Sequence, residues 1–110
     1  MKQLNSSELK DFRLSENFSL WEFTHDFKAS ENNIYNVPDE TGIAKLKRIC
    51  EVVLQPVQDH FGKPVSIVNG FRVPRLNHLW SGAPNSQHLS CEAVDFRVRG
   101  ISPRVVVDWV

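Results

Sequence analysis

The stretch Ser86-Gln87-His88-Leu89-Ser90-Cys91-Glu92-Ala93-Val94-Asp95 carries the residue types best suited to chemistry in this chain. A histidine leaving a loop and an aspartate on the strand that follows can converge on one metal ion. Imidazole nitrogen and carboxylate oxygen are both good zinc ligands, at about 2.0–2.2 Å. Taken alone the pair is weak evidence, because a histidine followed seven residues later by an aspartate arises readily by chance and is more often structural. What decides is whether the surrounding chain can bring His88 and Asp95 together.

Three kinds of element are available to do so. Pro38, Asp39 and Glu40 suit the first turn of a helix, where proline lacks only a donor that would be orphaned anyway and acids complement the dipole. From there Ile43, Leu46, Ile49, Cys50, Val53, Leu54, Val57 and Phe61 recur in steps of three and four, which marks one buried helical face ending at Gly62. Pro56 interrupts that pattern, so a kink near Val53 or the start of a new turn is expected. Val65-Ser66-Ile67-Val68 is short and β-branched, and Ala93–Val98 alternates; both read as strands. Pro74 opens a short helix through Leu79, residues 80–85 have loop chemistry, and Ser102-Pro103 starts a last helix. Nearer the N-terminus, Ser19 is an expected N-cap, with Phe18, Trp21 and Phe23 as core anchors. Residues up to about Glu16 are polar and read as a loose lead-in. The resulting class is a small α+β domain.

Several segments, in order, carry a resemblance. Ser-Gln-His-Leu-x-x-Glu-Ala-x-Asp, preceded by Asn69-Gly70-Phe71-Arg72-x-Pro74-x-Leu76-Asn77, resembles the D-alanyl-D-alanine carboxypeptidase-like zinc peptidases. That family includes phage endolysin-type peptidases and bacterial peptidoglycan peptidases, and shares a fold with the Hedgehog signalling domain. Leu54 to Pro64 and Leu14 to Phe23 are similar to it as well. The resemblance implies a polar lead-in over residues 1–13 and a peptidase domain over 14–110, with a short mixed sheet packed on a long helix. It makes His88 and Asp95 zinc ligands and Arg72 the cation that receives a substrate carboxylate or a developing oxyanion, a task suited to a planar, permanently charged group. A strand-end salt bridge is the competing role for Arg72. Ser86 would line the substrate pocket, or else bond to loop backbone.

Two departures from that family shape the expected function. Its third ligand is a histidine on a strand beyond the last helix, with a glutamate general base just upstream. This sequence reaches Asp108-Trp109-Val110 while still in the helix before that strand, and His25, His60 and His78 match no ligand position. His60 suits the end of the long helix, where an imidazolium offsets the dipole. A truncated site with weak zinc binding and impaired catalysis is therefore expected. Glu92 is the one spare carboxylate nearby, and the family does not use it as the base. The second departure is Cys91, where the family generally has glycine; cysteine there strains the loop, supplies a thiolate ligand beside His88 and Asp95, or pairs with His88 as a nucleophile. The leading function is a zinc peptidase acting on D-amino-acid-containing peptidoglycan peptides. The alternative is a non-catalytic module that keeps the fold to bind cell-wall peptide or protein.

Bulk properties exclude other classes. The 110 residues suffice for one domain, and 41% apolar with 24% charged residues is ordinary for a folded one. Net charge is zero, with seven Lys/Arg against ten Asp/Glu up to His60 and six against three after it. Arg72, Arg75, Arg97, Arg99 and Arg104 lack the interleaved stacking residues of a nucleic-acid surface, so no nucleic-acid partner is expected. No apolar run approaches a membrane span, and the polar start carries no signal-peptide core. Synthesis in the cytoplasm is expected, with another route to the wall. Two cysteines make no disulfide framework. An unpaired sheet edge left by a missing strand would favour self-association.

Overall fold

A computed structural model describes residues 3–110. The N-terminal segment is more ordered than its polarity suggests. Asn5 and Glu8 form a reciprocal capping box, Oδ1 accepting from the Glu8 N–H at 2.9 Å and Oε1 from the Asn5 N–H at 3.0 Å, and this starts helix α1, Ser6–Asp11. Leu9 from that helix joins the core. Met1 and Lys2 of the expected lead-in lie outside the described residues. Strands β1 (Arg13–Ser15) and β2 (Phe18–Ser19) then form a small antiparallel pair.

Helix α2, Trp21–Thr24, begins one residue later than a Ser19 cap requires. Leu20 already has helical angles, and Ser19 instead donates its backbone N–H to the Glu22 carboxylate at 2.7 Å. Phe18 and Phe23 are buried as anchors, while Trp21 is only half-buried and stacks on His25 at 3.8 Å. Helix α3, Phe27–Glu31, is capped by Asp26.

The long apolar face is present but divided. Helix α4, Glu40–Ile49, starts two residues after Pro38, because Asp39 is extended and caps it through the Gly42 N–H. A π-helical stretch, Cys50–Leu54, leads into α5, Gln55–Phe61. The π turn is the expected irregularity, and Pro56 accounts for it. Proline has no N–H to donate, and its ring would crowd a carbonyl one turn back, so the helix widens ahead of it. Leu46, Cys50, Leu54 and Val57 are fully buried along this face, and Gly62 closes α5 with φ +62°. Gln55 fastens the N-terminal hairpin to it: its Oε1 accepts from Ser15 Oγ at 2.8 Å and the Asn17 N–H at 3.0 Å, while its Nε2 donates to Asn17 Oδ1 at 2.7 Å.

Strand β3, Val65–Asn69, pairs antiparallel with β4, Asp95–Val98, so among the described residues both sheets are two-stranded and antiparallel rather than mixed. Their register sets Val65 opposite Val98 and Ile67 opposite Phe96, then shifts so that Asn69 faces Asp95. Between them lie α6 (Pro74–Leu79) and a single 3-10 turn, Gln87–Ser90. Ala93 and Val94, expected in the last strand, lie outside it: β4 starts at Asp95. Helix α7, Pro103–Trp109, is capped by Ser102 as its sequence predicts, and Trp109 stacks on His60 at 4.2 Å. The fold is the small α+β domain expected. No helix among the described residues is long and apolar enough to cross a membrane.

Candidate metal and substrate site

The site sits where the loop after β3, the 3-10 turn and the first residue of β4 meet. Gly70 ends β3 against helix α2. A Cβ added there would lie 2.7 Å from Phe23 Cα and 2.9 Å from its carbonyl carbon, so only glycine permits this approach. Phe71 N–H donates to the Phe23 carbonyl at 2.8 Å across the same contact. Asn36, buried, clamps the loop from the other side. Its Nδ2 donates to the Thr24 and Phe71 carbonyls, and its Oδ1 accepts from the Val73 N–H, each at 2.9 Å.

That fixed loop presents the Gly70 carbonyl to His88, whose Nδ1 lies 2.8 Å from it. A carbonyl only accepts, so Nδ1 carries a proton, and in the neutral tautomer the lone pair lies on Nε2. Nε2 faces Asp95 Oδ2 at 3.4 Å. In that tautomer two lone-pair atoms so placed repel unless a cation, a proton or a metal ion, lies between them. The spacing is long for a hydrogen bond. It matches the edge of a zinc tetrahedron, where bonds of about 2.0–2.2 Å hold two ligand atoms about 3.3–3.6 Å apart. The Gly70 carbonyl supplies the outer-shell partner that a ligating histidine needs. His88 and Asp95 therefore fit two vertices of a zinc site. Among the described residues no third His, Cys, Asp or Glu joins them.

The other sequence-selected residues are placed as follows. Arg72 Nη2 donates to Asn69 Oδ1 at 3.0 Å, and its guanidinium carbon lies 5.6 Å from the Trp80 ring centre. Asn69 Nδ2 in turn donates to Asp95 Oδ2 at 3.0 Å, so Arg72 stands one amide away from the His88–Asp95 pair. Trp80 is held by Asp26, which accepts from Nε1 at 3.0 Å, and by Lys28 over its ring at 4.1 Å. Ser86 caps the 3-10 turn, its Oγ accepting from the His88 N–H at 3.2 Å. The backbone role weighed for Ser86 is thus present.

Cys91 does not join the metal pair. It closes the 3-10 turn in the left-handed region, φ +58°, and is 1% exposed. Its Sγ packs inward against Gly42, 3.1 Å from where a Cβ on that glycine would lie, and burial pushes the thiol up to about 11. Facing Gly42, the sulfur forms no metal-holding group with His88 and Asp95 among the described residues, and a buried thiol with a raised pKa is a poor nucleophile. Cys50 and Cys91 are both free. Glu92 turns away as well. Its carboxylate lies 3.8 Å from Lys45 Nζ, and the Ser90 hydroxyl, with Lys45 behind it, holds its carboxyl below the usual range.

The family model described as Peptidase M15 matches residues 16–109, from just before β2 to the last turn of α7. The chain belongs to the Peptidase M15 family. Its members are zinc-dependent peptidases in general. No curated protein and no solved structure is a significant match. Within this M15 chain, residue types alone did not single out Asn69, Trp80 or Asn36. Asn69 and Asn36 act through amides with no sequence periodicity, and Trp80 sits in a segment whose Ser81-Gly82-Ala83-Pro84 composition reads only as loop.

Proposed function

We propose that this M15 chain is a zinc-dependent peptidase acting on D-amino-acid-containing peptidoglycan peptides. The observation that carries the reading is the His88–Asp95 pair at 3.4 Å, with the free histidine nitrogen turned toward the carboxylate. A zinc ion held there would supply Lewis-acid polarisation of the scissile carbonyl. The chain's own residues do the rest. Among the described residues Arg72 has one guanidinium N–H committed to Asn69 and no other acceptor, which suits capture of a terminal peptide carboxylate. Trp80 and Asn69 hold that guanidinium from two directions, so less freedom is lost when substrate binds. Ser86 accepts from the His88 N–H and still has its own O–H to donate to the peptide.

Titration of the chain with zinc, followed by calorimetry, tests the metal reading. Binding is expected, and His88→Ala or Asp95→Ala should weaken it by at least about a hundredfold, more than loss of an outer-shell partner. Equal zinc binding by both variants would sink it. Activity is then read as amino acid released from a stem peptide ending in D-alanine, with Arg72→Ala raising KM.

One observation favours a second reading. The described residues offer two ligands, and a catalytic zinc normally takes three from protein. A module that binds wall peptide without cutting it would retain the peptide and release nothing, and Arg72→Ala would abolish retention.

Self-association is proposed along the open sheet. Among the described residues β3 and β4 each have one unpaired edge, and Val68 is half exposed. Sedimentation should show a dimer at high concentration, reduced by Val68→Lys. A monomer at every concentration would overturn this.

A further inference from the structure

Asn69 is the last residue of β3, and two features aim it. The register shift between Ile67 and Asn69 displaces it from the regular ladder and sets it opposite Asp95. Gly70 then turns the chain tightly against Phe23. The amide that results has one possible orientation. Arg72 can only donate, so Oδ1 faces it; Asp95 as a carboxylate can only accept, so Nδ2 faces that side.

The two groups it joins depend on it. Asp95 has a side chain 57% exposed and faces His88 Nε2 at 3.4 Å, and among the described residues Asn69 is the only hydrogen-bond donor to its carboxylate. Without the amide, no hydrogen bond among the described residues holds the carboxylate rotamer that points Oδ2 at His88. Among the described residues Arg72 likewise has Asn69 as its one hydrogen-bond acceptor, with Trp80 on another side. A flexible guanidinium is thereby tied to a residue that also touches the metal pair.

We infer that Asn69 is a positioning residue that couples the metal ligand Asp95 to the substrate cation Arg72. The inference rests on the proposed zinc site and adds a mechanical link between its two halves. A cation drawn to Asp95 Oδ2 fixes that carboxylate, the fixed carboxylate holds the amide, and the amide restrains the guanidinium. Linkage makes the effect reciprocal: an anion seated on Arg72 steadies Asp95 for the metal.

The test uses the full chain with zinc alone as the probe. Zinc affinity is measured by calorimetry for the unaltered chain and for Asn69→Ala. In the same samples, the rotation rate of the Arg72 guanidinium about Nε–Cζ is read from its Nη–H line shapes by NMR, with Arg72→Lys assigning the signal. Zinc should slow that rotation in the unaltered chain. Asn69→Ala should bind zinc about ten- to a hundredfold more weakly, and at zinc saturation its Arg72 rotation should stay fast. Circular dichroism monitors folding, and Asn69→Ser provides the same comparison should the alanine variant unfold. Undiminished zinc affinity in the variants, or rotation still slowed by zinc, overturns the coupling while leaving the metal site standing. An unaltered chain that binds no zinc overturns the site and the coupling together.

Discussion

Gly70→Ala is expected to cost on the order of 3 kcal/mol of folding stability, at the upper end of what overpacking a tight contact does. The added methyl meets the Phe23 backbone, not a flexible side chain, so one of the two segments must move. Either movement breaks the Phe71 N–H bond to the Phe23 carbonyl and draws the loop away from Asn36. The same displacement moves the Gly70 carbonyl that holds His88 Nδ1. Zinc affinity should therefore fall at least about tenfold along with stability, as for loss of an outer-shell partner. Urea unfolding and zinc titration on the same samples check this. A variant within about 0.5 kcal/mol of the unaltered chain, the range of an ordinary surface change, would show that the close approach to Phe23 does not exist.

Stability is expected to collapse in alkali because of two buried thiols. Burial pushes Cys50 up to about 12 and Cys91 up to about 11, from 9.0 for an ordinary thiol, and each is 1% exposed or less. Both folded-state values are raised, and the protonated form is the neutral one. The unfolded chain therefore releases these protons first as pH climbs. The stabilisation is complete below pH 9 and is lost progressively as pH rises through 11 and 12. A tenfold difference in proton affinity between folded and unfolded chain is worth about 1.4 kcal/mol, so the two thiols together account for on the order of 7 kcal/mol at the alkaline limit. Unfolding free energy measured from about pH 8 to pH 11 should decline with pH, and Cys50→Ala should flatten the decline while lowering the plateau. A level profile over that range in the unaltered chain would mean that the thiols are accessible to water when folded.

Local pattern sufficed for much of the architecture. Apolar residues in steps of three and four marked the helical face from Leu46 to Val57, because a helix buries one stripe whatever it packs against. Pro56 and Gly62 announced an irregularity and an end by the backbone conformations they restrict, and the Ser102-Pro103 start is likewise a local matter. The ordered segments around Arg72 and His88 carried the family, because those residue types at that spacing are uncommon as a set. Pattern failed where a contact comes from a distant part of the chain. The hydrophilic start forms helix α1, because Asn5 and Glu8 cap one another and Leu9 has a core to enter. Ser19 gave way as a cap to its own neighbour Glu22. Cys91 turned inward to Gly42, forty-nine residues earlier in the chain.

For the site, sequence named His88, Asp95, Arg72 and Ser86 as candidates, and tertiary structure decided what each one meets. The bulged register between β3 and β4 brings Asn69 to Asp95, and the Gly70–Phe23 approach sets the carbonyl that selects the His88 tautomer. Residue type specifies which atoms can bind a cation or donate a hydrogen bond. Their separation is set by strand pairing and backbone contact between segments far apart in sequence, and no local periodicity records it.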